Sequence, residues 1–315
     1  MRVLAALIAF FLSTAVQAQA WPSKPIRWIV PYPPGGSTDI AARPVAERVA
    51  QALGTTSVIE NRAGAGGNIG FDAVAKSAPD GYTLVVAPDA ITSNPHLYKV
   101  GWDPLKHFAP VIQMARQPVV LAVHPSLGVN SVAELVAQVK QKPGLGYATS
   151  GAGSQQHMTA EWFAKLAGIR LTHVPYKGGG QAITDLIGGQ VQIGSLGSSP
   201  VIPHYKSGKL KILAQSTRQR APSLPEIPTY EEAGMKGLVL DQWLGVLLPA
   251  GAPAEIVARL NAEIGKALAE LAIRERYAQA ALEPVGGSTE QFARLLRDDF
   301  EKYSRLVKDL DIRLE

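Results

Sequence analysis

Short apolar runs alternate with segments of helical periodicity along most of the chain. The first clear run is Trp28–Val30, which has the composition of a buried strand. Three prolines and two glycines interrupt the chain in residues 31–36, and apolar residues return at helical spacing between Ile40 and Val49. This pattern predicts a strand, a glycine turn and a helix in direct succession.

The same succession is predicted twice more. The strand Leu145–Ala148 precedes the Gly- and Ser-rich stretch Thr149–Ser154 and then a helix, and a third junction lies at His173–Gly180. Alternating strands and helices favour an α/β fold with largely parallel sheets. Capped helices are predicted where Ser or Thr precedes Glu or Gln by three positions, as after Ser131, Thr229 and Ser288.

The first junction carries residues suited to an anion. Ser37, Thr38 and Asp39 are side chains that commonly cap a helix N-terminus. Unpaired N–H groups and the positive end of the helix dipole meet at such a terminus, so a carboxylate can bind there. An ordinary strand–helix loop, in which the hydroxyl only caps its helix, explains this stretch equally well.

The glycines at positions 64, 66, 67 and 70 do not have the spacing of a dinucleotide-binding fingerprint. They indicate instead a tight turn where the backbone approaches a ligand or a neighbouring helix.

Two lobes are predicted, because the first two junctions lie on separate runs of strands and helices. The strands Val119–Val123 and Trp243–Leu248 bracket the middle of the chain, so the chain leaves one lobe and returns to it. The predicted first lobe is 21–122 plus 244–315, and the second is 123–243. Two crossing strands form a hinge, with a ligand cleft between the lobes.

Residues 1–20 have the features of a secretory signal peptide. Arg2 is followed by the apolar run Val3–Leu12 and by the small residues Ala18 and Ala20, which predicts cleavage before Trp21. The chain has no cysteine, which excludes disulfides, a thiol nucleophile and a lipidated N-terminal cysteine. We therefore expect a soluble, monomeric protein in a bacterial periplasm.

Formal charge is mildly positive, at +5 from 31 basic and 26 acidic residues. Removing Arg2 with the leader leaves 30 − 26 = +4. The basic residues are dispersed, which fits an anionic small molecule and predicts no nucleic-acid partner.

Seven motifs resemble one known family, in the family's order along the chain: PYPPGGSTDIAAR, ENRAGAGGNIG, APDGYTL, YATSGAGSQQH, HVPYKGGG, LPEIPTYEEAG and LPAGAP. They are similar to motifs of the periplasmic substrate-binding receptors of tripartite tricarboxylate transporters, the Bug-type proteins. The resemblance implies a two-lobed, type II-like Venus-flytrap fold with two mixed sheets. It also implies a receptor without cofactor or metal that delivers a small organic carboxylate, favoured to be a di- or aromatic carboxylate, to membrane transporter subunits.

By the same resemblance, loops of both lobes hold the ligand. Asp39 is expected to face away from it and to brace the first loop, because its charge would repel a carboxylate. The neutral loop Ser195–Ser198, where relatives often carry Asp or Asn, predicts room for a bulkier or less cationic ligand. The carried-over ligand-binding residues are Tyr32, Gly36, Ser37, Thr38, Asp39, Ser150, Gly151, Ser154, His157, Tyr176, Lys177 and Gly178.

Three other interpretations of the sequence were weighed against a transport receptor: a hydrolase, a metal-binding protein and a sensor. A Ser-dependent hydrolase lacks its usual G-x-S-x-G motif here. A metal site has His157 and Glu161 four residues apart on a helix but no third ligand at a suitable spacing, so we expect His157 to point into the cleft instead. A sensor that presents its closed form to a signalling partner has no distinguishing motif.

The roles of three aromatic residues stay open at this stage. Trp243 fits a cleft wall or the hinge core equally well, and Tyr98 and Trp102 lie in a Pro-containing segment without an assigned function.

Overall fold

The structure is a computed structural model that describes residues 21–313, so the predicted leader lies outside the described residues. The strands in this range are β1 (Ile26–Val30), β2 (Ser57–Asn61), β3 (Thr83–Pro88), β4 (Phe108–Val123), β5 (Leu145–Thr149), β6 (Leu171–Pro175), β7 (Ile193–Gly197), β8 (Lys211–Gln215), β9 (Asp241–Pro249) and β10 (Glu283–Gly286).

The α-helices in the same range are α1 (Ser37–Leu53), α2 (Asn68–Ala75), α3 (Ala90–Ser93), α4 (Val132–Gln141), α5 (Gln155–Ala167), α6 (Gly179–Ile187), α7 (Ser198–Lys206), α8 (Ala254–Ala269), α9 (Leu271–Gln279) and α10 (Thr289–Asp309). None of these helices is both long enough and apolar enough to span a bilayer.

The long strand β4 joins two mixed sheets. Its first part, Phe108–Pro118, pairs with β9 and β10 in a sheet of order β2-β1-β3-β9-β4-β10. Its last part, Val119–Val123, pairs with β7 and β8 in a sheet of order β8-β4-β7-β5-β6. We call these the first and second sheets, and the lobe built on each the first and second lobe. The α/β, two-lobed prediction is thus confirmed.

Antiparallel pairing is more extensive than the apolar pattern predicted. Strands β1, β2 and β3 are parallel, as are β5, β6 and β7. The strands that carry the chain between lobes, β4 and β9, run antiparallel to each other and to their neighbours. A chain that crosses to the second lobe and returns beside its own path must pair in this way.

The crossing point lies where Gln117 of β4 pairs with Gln242 of β9. Gln117 Nε2 donates to Gln242 Oε1 (2.6 Å), and Gln117 Oε1 accepts from the backbone N–H of Ser199 in the second lobe (3.0 Å). The predicted hinge strands Val119–Val123 and Trp243–Leu248 therefore lie just beyond this point, one in each sheet. The predicted lobe boundaries remain a prediction.

Each lobe has its own hydrophobic core. In the first lobe, Trp28 of β1 and Leu260 of α8 are fully buried on one face of the sheet. In the second lobe, Tyr147 of β5 and Phe163 of α5 are fully buried. The C-terminal helix α10 contacts both lobes, since Phe292 lies in a first-lobe core and Tyr303 packs with Met158 of α5.

The helix predicted after Thr229 is absent from the described residues. Thr229 and Glu232 do exchange the two hydrogen bonds of a capping box, but residues 230–234 form only turns. One helical hydrogen bond forms, from the Ala233 N–H to Thr229 O, before the Met235 N–H donates to Tyr230 O and closes the segment after a single turn. Gly234, with a left-handed φ of 93°, then leaves too few residues for a helix to propagate.

Candidate ligand-binding site

A small cavity lies between the two lobes, with a volume of about 30 Å³, room for roughly two water-sized groups. An organic acid is larger than this volume, so the lobes must separate for such a ligand to bind. The cavity is lined by Tyr32, Gly36, Ser37, Thr38, Pro88, Asp89, Ala90, Ser150, Ser154, Gln155, Gln156, Gly179, Gly197, Pro200 and Gln242.

The first-lobe wall is the β1–α1 junction. Gly36, not a hydroxyl residue, is the N-cap of α1, and no side chain caps the helix. Ser37 and Thr38 are therefore the first two helical residues, and within residues 21–313 their hydroxyls have no hydrogen-bond partner. Helix geometry leaves their N–H groups without intrahelical acceptors as well. This corrects the prediction that Ser37, Thr38 or Asp39 caps the helix, and it leaves four donors at the cavity.

Asp39 braces this junction from the side away from the cavity. Its carboxylate accepts hydrogen bonds from the Gly35 N–H (3.1 Å), from Arg43 (2.7 and 2.9 Å) and from Asn61 (3.1 Å). Burial opposes ionisation of Asp39, but these hydrogen bonds outweigh it and hold the pKa below its usual value. Asp39 is outside the cavity lining, in agreement with its expected bracing role.

The second-lobe wall is the β5–α5 junction, where hydroxyls are used differently. Ser154 is the N-cap of α5: its Oγ accepts from the His157 N–H and donates to Gly151 O (2.7 Å). Ser150 Oγ donates to Gln156 Oε1 (2.8 Å). Each hydroxyl already uses its one O–H in a hydrogen bond within the lobe, so neither donates to a carboxylate. The amide nitrogen of Gln156 and the first N–H groups of α5 are the donors on this side.

His157 supports this loop rather than facing the cavity, which corrects the sequence prediction. Its Nδ1 accepts from the Gly153 N–H (3.2 Å), and its ring stacks on that of His173, with centroids 3.9 Å apart. Burial lowers the pKa of His157 to about 3 and that of His173 to about 4. Both rings are therefore neutral at physiological pH. Gly151 also lies outside the cavity lining.

Glu161, which the sequence analysis paired with His157 as a possible metal ligand, accepts a short hydrogen bond from the Tyr147 hydroxyl. Its Oε1 lies 3.9 Å from His157 Nε2. Among the described residues, no three His, Cys, Asp or Glu side chains are arranged to hold a metal ion.

The glycines before and within α6 provide contact between lobes. A Cβ on Gly178 would lie 2.6 Å from Cδ of Pro33, and one on Gly180 would lie 2.6 Å from Pro34 O. Gly178 thus contacts the first lobe instead of the cavity. Tyr176 donates to Asp185 (2.7 Å) and Lys177 is exposed, and neither lines the cavity.

Two hydrogen bonds cross the cleft beside the cavity. The Tyr98 hydroxyl donates to Ala152 O (2.8 Å), and Ser93 Oγ donates to Gly153 O (3.0 Å). Tyr98 is therefore a contact between lobes. Trp102 and Trp243 are first-lobe core residues: Trp102 packs edge-on against Phe71 and Phe108, and Trp243 against Phe292.

Sequence reasoning missed four polar residues in the lining: Asp89, Gln155, Gln156 and Gln242. Asp89 follows directly after β3, which is parallel to β1. Because carboxyl ends of parallel strands meet at the same edge of a sheet, that position was a usable signal. Gln242 had no such signal, because its place depends on the pairing of β4 with β9.

Comparison with known proteins identifies relatives along the full chain. The sequence profile of the tripartite tricarboxylate transporter family receptor matches residues 41–312. Protein BugT of Bordetella pertussis is 37% identical, with 99% of this chain and 98% of BugT covered.

Solved structures agree with this match. A structure of an R. palustris protein with adipate has a TM-score of 0.90 at 35% identity, covering 93% of this chain and 99% of that one. MatC from Rhodopseudomonas palustris with bound malate has a TM-score of 0.86 at 30% identity, covering 91% and 100%.

Proposed function

Because the chain belongs to the tripartite tricarboxylate transporter receptor family, we propose that it binds a small aliphatic carboxylate between the N-termini of α1 and α5. As a solute-binding receptor of this family, it delivers the bound carboxylate to a membrane transporter. The ligand residues we propose are Ser37 and Thr38 from the first lobe and Gln156 from the second.

The observation that carries this proposal is the glycine cap of α1. With no side chain capping the helix, the hydroxyls and N–H groups of Ser37 and Thr38 remain free to donate hydrogen bonds to a ligand. A hydrogen bond to a charged acceptor contributes roughly 1.5–3 kcal/mol, so two or three such bonds contribute roughly 3–9 kcal/mol, against about 8 kcal/mol for micromolar binding. The positive end of the α1 dipole adds to the attraction for an anion.

The residues that line the cavity also indicate the type of ligand. Tyr32 is its sole aromatic ring, and no Lys, Arg or His occurs among the described residues that line it. An aromatic acid therefore has little to stack on, and a carboxylate is held by neutral donors alone. The adipate and malate of the two related structures are both dicarboxylates, which supports a dicarboxylate here.

We propose a binding role without catalysis. The family is one of receptors, and the lining offers no histidine beside Ser37 or Ser150 to act as a general base. A serine hydrolase requires such a pair within hydrogen-bond reach. A receptor returns its ligand unchanged, so product analysis of the released ligand distinguishes the two functions.

Family membership supports a periplasmic location. We propose that the leader 1–20 is cleaved and that the mature protein starts at or near Trp21. N-terminal sequencing of the protein from a periplasmic extract tests this, and a mature protein that retains Arg2 contradicts it.

A thermal-shift screen tests the proposed ligand class. The mature protein is screened against linear dicarboxylates of three to seven carbons, matched monocarboxylates, aromatic acids and the dimethyl ester of each hit. A ligand at a hundred times its Kd stabilises the folded state by about 2.7 kcal/mol, which gives a clear rise in Tm. Esters that shift Tm as much as their free acids contradict the carboxylate site.

A further inference from the structure

A second, larger cavity lies beside the crossing of β4 and β9. It is an open groove of about 1230 Å³, whereas small-molecule pockets usually have roughly 300–1,000 Å³. Its floor includes Pro118 of β4 and Asp241 of β9, which pair at the crossing. Among the described residues, the groove shares no lining residue with the proposed ligand cavity.

The two walls of the groove belong to different lobes. One wall is formed by α9 and β10 of the first lobe. The other is formed by residues 217–223, which follow β8, and by Lys206 at the end of α7 in the second lobe. The distance between the walls therefore changes when the lobes move.

The first-lobe wall is one face of a helix. Ile273 and Tyr277 of α9 are buried in the first-lobe core, so the opposite face of the helix points outward. Leu271, on that outer face, is 71% exposed, more than any other large hydrophobic side chain that the structure describes. The α9 residues that line the groove follow a spacing of three and four positions, which places them on this one face: Leu271, Arg274, Glu275 and Ala278.

The second-lobe wall is a loop with a fixed backbone. Gln215, which is fully buried at the end of β8, holds it with both ends of its amide. Its Oε1 accepts from the Ala221 N–H (2.8 Å), and its Nε2 donates to Leu224 O (2.9 Å) and Ile227 O (2.7 Å). Arg218 is therefore exposed on an ordered support.

Basic side chains outnumber acidic ones among the residues that line the groove, five to three. Arg116 and Arg220 are already paired, with Glu283 (2.7 Å) and Glu232 (2.8 Å). The other three basic side chains are exposed and have no ion-pair partner within residues 21–313, and they lie on both walls: Lys206, Arg218 and Arg274.

Two of the three acidic side chains add little negative charge to the groove. Glu283 is held by Arg116, which donates to both of its carboxylate oxygens (2.7 and 2.8 Å). Burial raises the pKa of Asp241, which disfavours its charged form. The groove is thus a positively charged surface with one exposed apolar residue, Leu271.

We propose that this groove binds an acidic segment of a partner protein when the lobes are closed. The inference rests on the proposed delivery of a carboxylate to a membrane transporter, and it names the surface by which such a partner distinguishes the loaded receptor from the empty one. Carboxylates of the segment pair with Arg218 on one wall and Arg274 on the other, and an apolar side chain covers Leu271.

Binding across both walls couples the groove to the ligand cleft. The lobes are closed in the structure, since the hydrogen bonds of Tyr98 and Ser93 cross the cleft. A segment that fits this spacing of the walls favours the closed form, and so does a ligand held between the lobes. Each therefore raises the affinity for the other by the same factor.

A short fluorescent peptide of glutamates around one central leucine tests the groove, by anisotropy with the mature protein. We expect it to bind about tenfold more tightly than the same peptide made with lysines, and to weaken as salt is added. The carboxylate that gives the largest rise in Tm, added at saturation, should tighten the glutamate peptide about threefold or more.

Charge reversal on both walls gives the decisive variant. Arg218→Glu combined with Arg274→Glu should weaken the glutamate peptide about tenfold and leave carboxylate affinity without peptide unchanged. The matched control is Lys209→Glu combined with Arg276→Glu, which changes net charge equally at exposed positions outside the groove lining. Arg276 lies on the same helix as Arg274, and the control should lose less than about twofold.

Three outcomes overturn the inference. Equal losses in the two double variants would mean that the peptide responds only to net charge. A lysine peptide that binds as tightly would exclude an acidic partner, and an unchanged peptide affinity at saturating carboxylate would exclude recognition of the closed form. The carboxylate receptor stands in all three cases, because the acid is titrated separately. If no carboxylate binds, the receptor proposal fails, and the two double variants still test the groove on the free protein.

Discussion

The β1–α1 and β5–α5 junctions have the same sequence signature and opposite uses of their hydroxyls. Each has a strand, a glycine-containing loop and a helix that begins beside Ser or Thr. At the first junction Gly36 caps the helix, and Ser37 and Thr38 keep their protons. At the second junction Ser154 caps the helix, and its hydroxyl donates a hydrogen bond to Gly151 O.

The difference shows that a hydroxyl at the start of a helix either caps that helix or donates to a ligand, depending on the helix position it occupies. One residue decides it: the N-cap position binds the helix's own N–H groups, whereas the next two positions project past them. We infer that the first junction recognises the carboxylate and the second holds a rigid wall opposite it.

Removing one hydroxyl from each junction gives the largest contrast. Thr38→Val preserves shape and should weaken ligand binding by about 1.5–3 kcal/mol, roughly tenfold to a hundredfold, without lowering stability. Ser154→Ala should lower the free energy of unfolding by about 1 kcal/mol and change affinity much less. Calorimetry gives the affinities and urea unfolding gives the stabilities.

The reverse result would invalidate the comparison. If Ser154→Ala loses more affinity than Thr38→Val, the second junction contains the donor that matters. Thr172→Val, on the second lobe outside the cavity lining, controls for the loss of a threonine hydroxyl and should bind normally.

The second largest expected change in affinity concerns the contact between the β1–α1 junction and α6, which forms between the two lobes. A Cβ on Gly180 would lie 2.6 Å from Pro34 O, so Gly180→Ala keeps the lobes apart. Such overpacking costs about 1–3 kcal/mol, and affinity should fall about 5- to 150-fold. Gly265→Ala on α8, outside the cavity lining, is the control, because its Cβ would meet its nearest atom at 3.8 Å. Equal affinities of the two variants would exclude this contact as a condition of binding.

Much of the fold could be predicted from the sequence, because apolar periodicity reports directly on strands and helices. The β1–α1 and β5–α5 junctions were both placed correctly. The prediction failed at Thr229, where a local capping box formed but Gly234 ended the segment after a single turn. Periodicity also could not show that β4 pairs antiparallel with β9, because the two strands lie far apart in sequence.

The site was predictable only in part, for a similar reason. Tyr32, Ser37, Thr38 and Ser150 lie within the motifs at the β1–α1 and β5–α5 junctions, and they line the cavity. His157 looked equally suitable, but stacking on His173 turns its ring into loop support. Pairings that lie far apart in sequence determine which polar residue faces a ligand.

Acid should loosen the second junction before the first. In the fold His157 has its pKa lowered to about 3, so below pH 6.5 the unfolded chain binds a proton that the folded chain does not. The contribution of His157 to the free energy of unfolding is thus fully present above pH 6.5 and is lost as the pH is lowered. The loss is about 2 kcal/mol between pH 7 and pH 5. The brace at the first junction, Asp39, has a lowered pKa and stays ionised over this range, so its contribution is lost only in stronger acid.

Urea unfolding at pH 7 and pH 5 measures the His157 effect, as a difference between wild type and His157→Gln. The difference is needed because Asp89, with its raised pKa, favours the fold as pH falls and offsets part of the loss. His107→Gln, a change at an exposed position, is the control. A wild-type protein that loses no more stability than His157→Gln would show that His157 is not a buried neutral support.

The smallest effect concerns the hydrogen bond from Tyr98 to Ala152, which joins the two junction regions across the cleft. Tyr98→Phe removes a neutral hydrogen bond worth about 0.5–1.5 kcal/mol, so affinity should fall about two- to tenfold. Because the bond forms only when the lobes close, after the ligand has docked, the loss should increase koff and leave kon nearly unchanged. Stopped-flow fluorescence separates these rates, with Tyr82→Phe as the control, since the Tyr82 hydroxyl bonds to Ser23 within the first lobe. A slower kon with an unchanged koff would mean that Tyr98 shapes the open cleft, and the contact with Ala152 would then not hold the closed form.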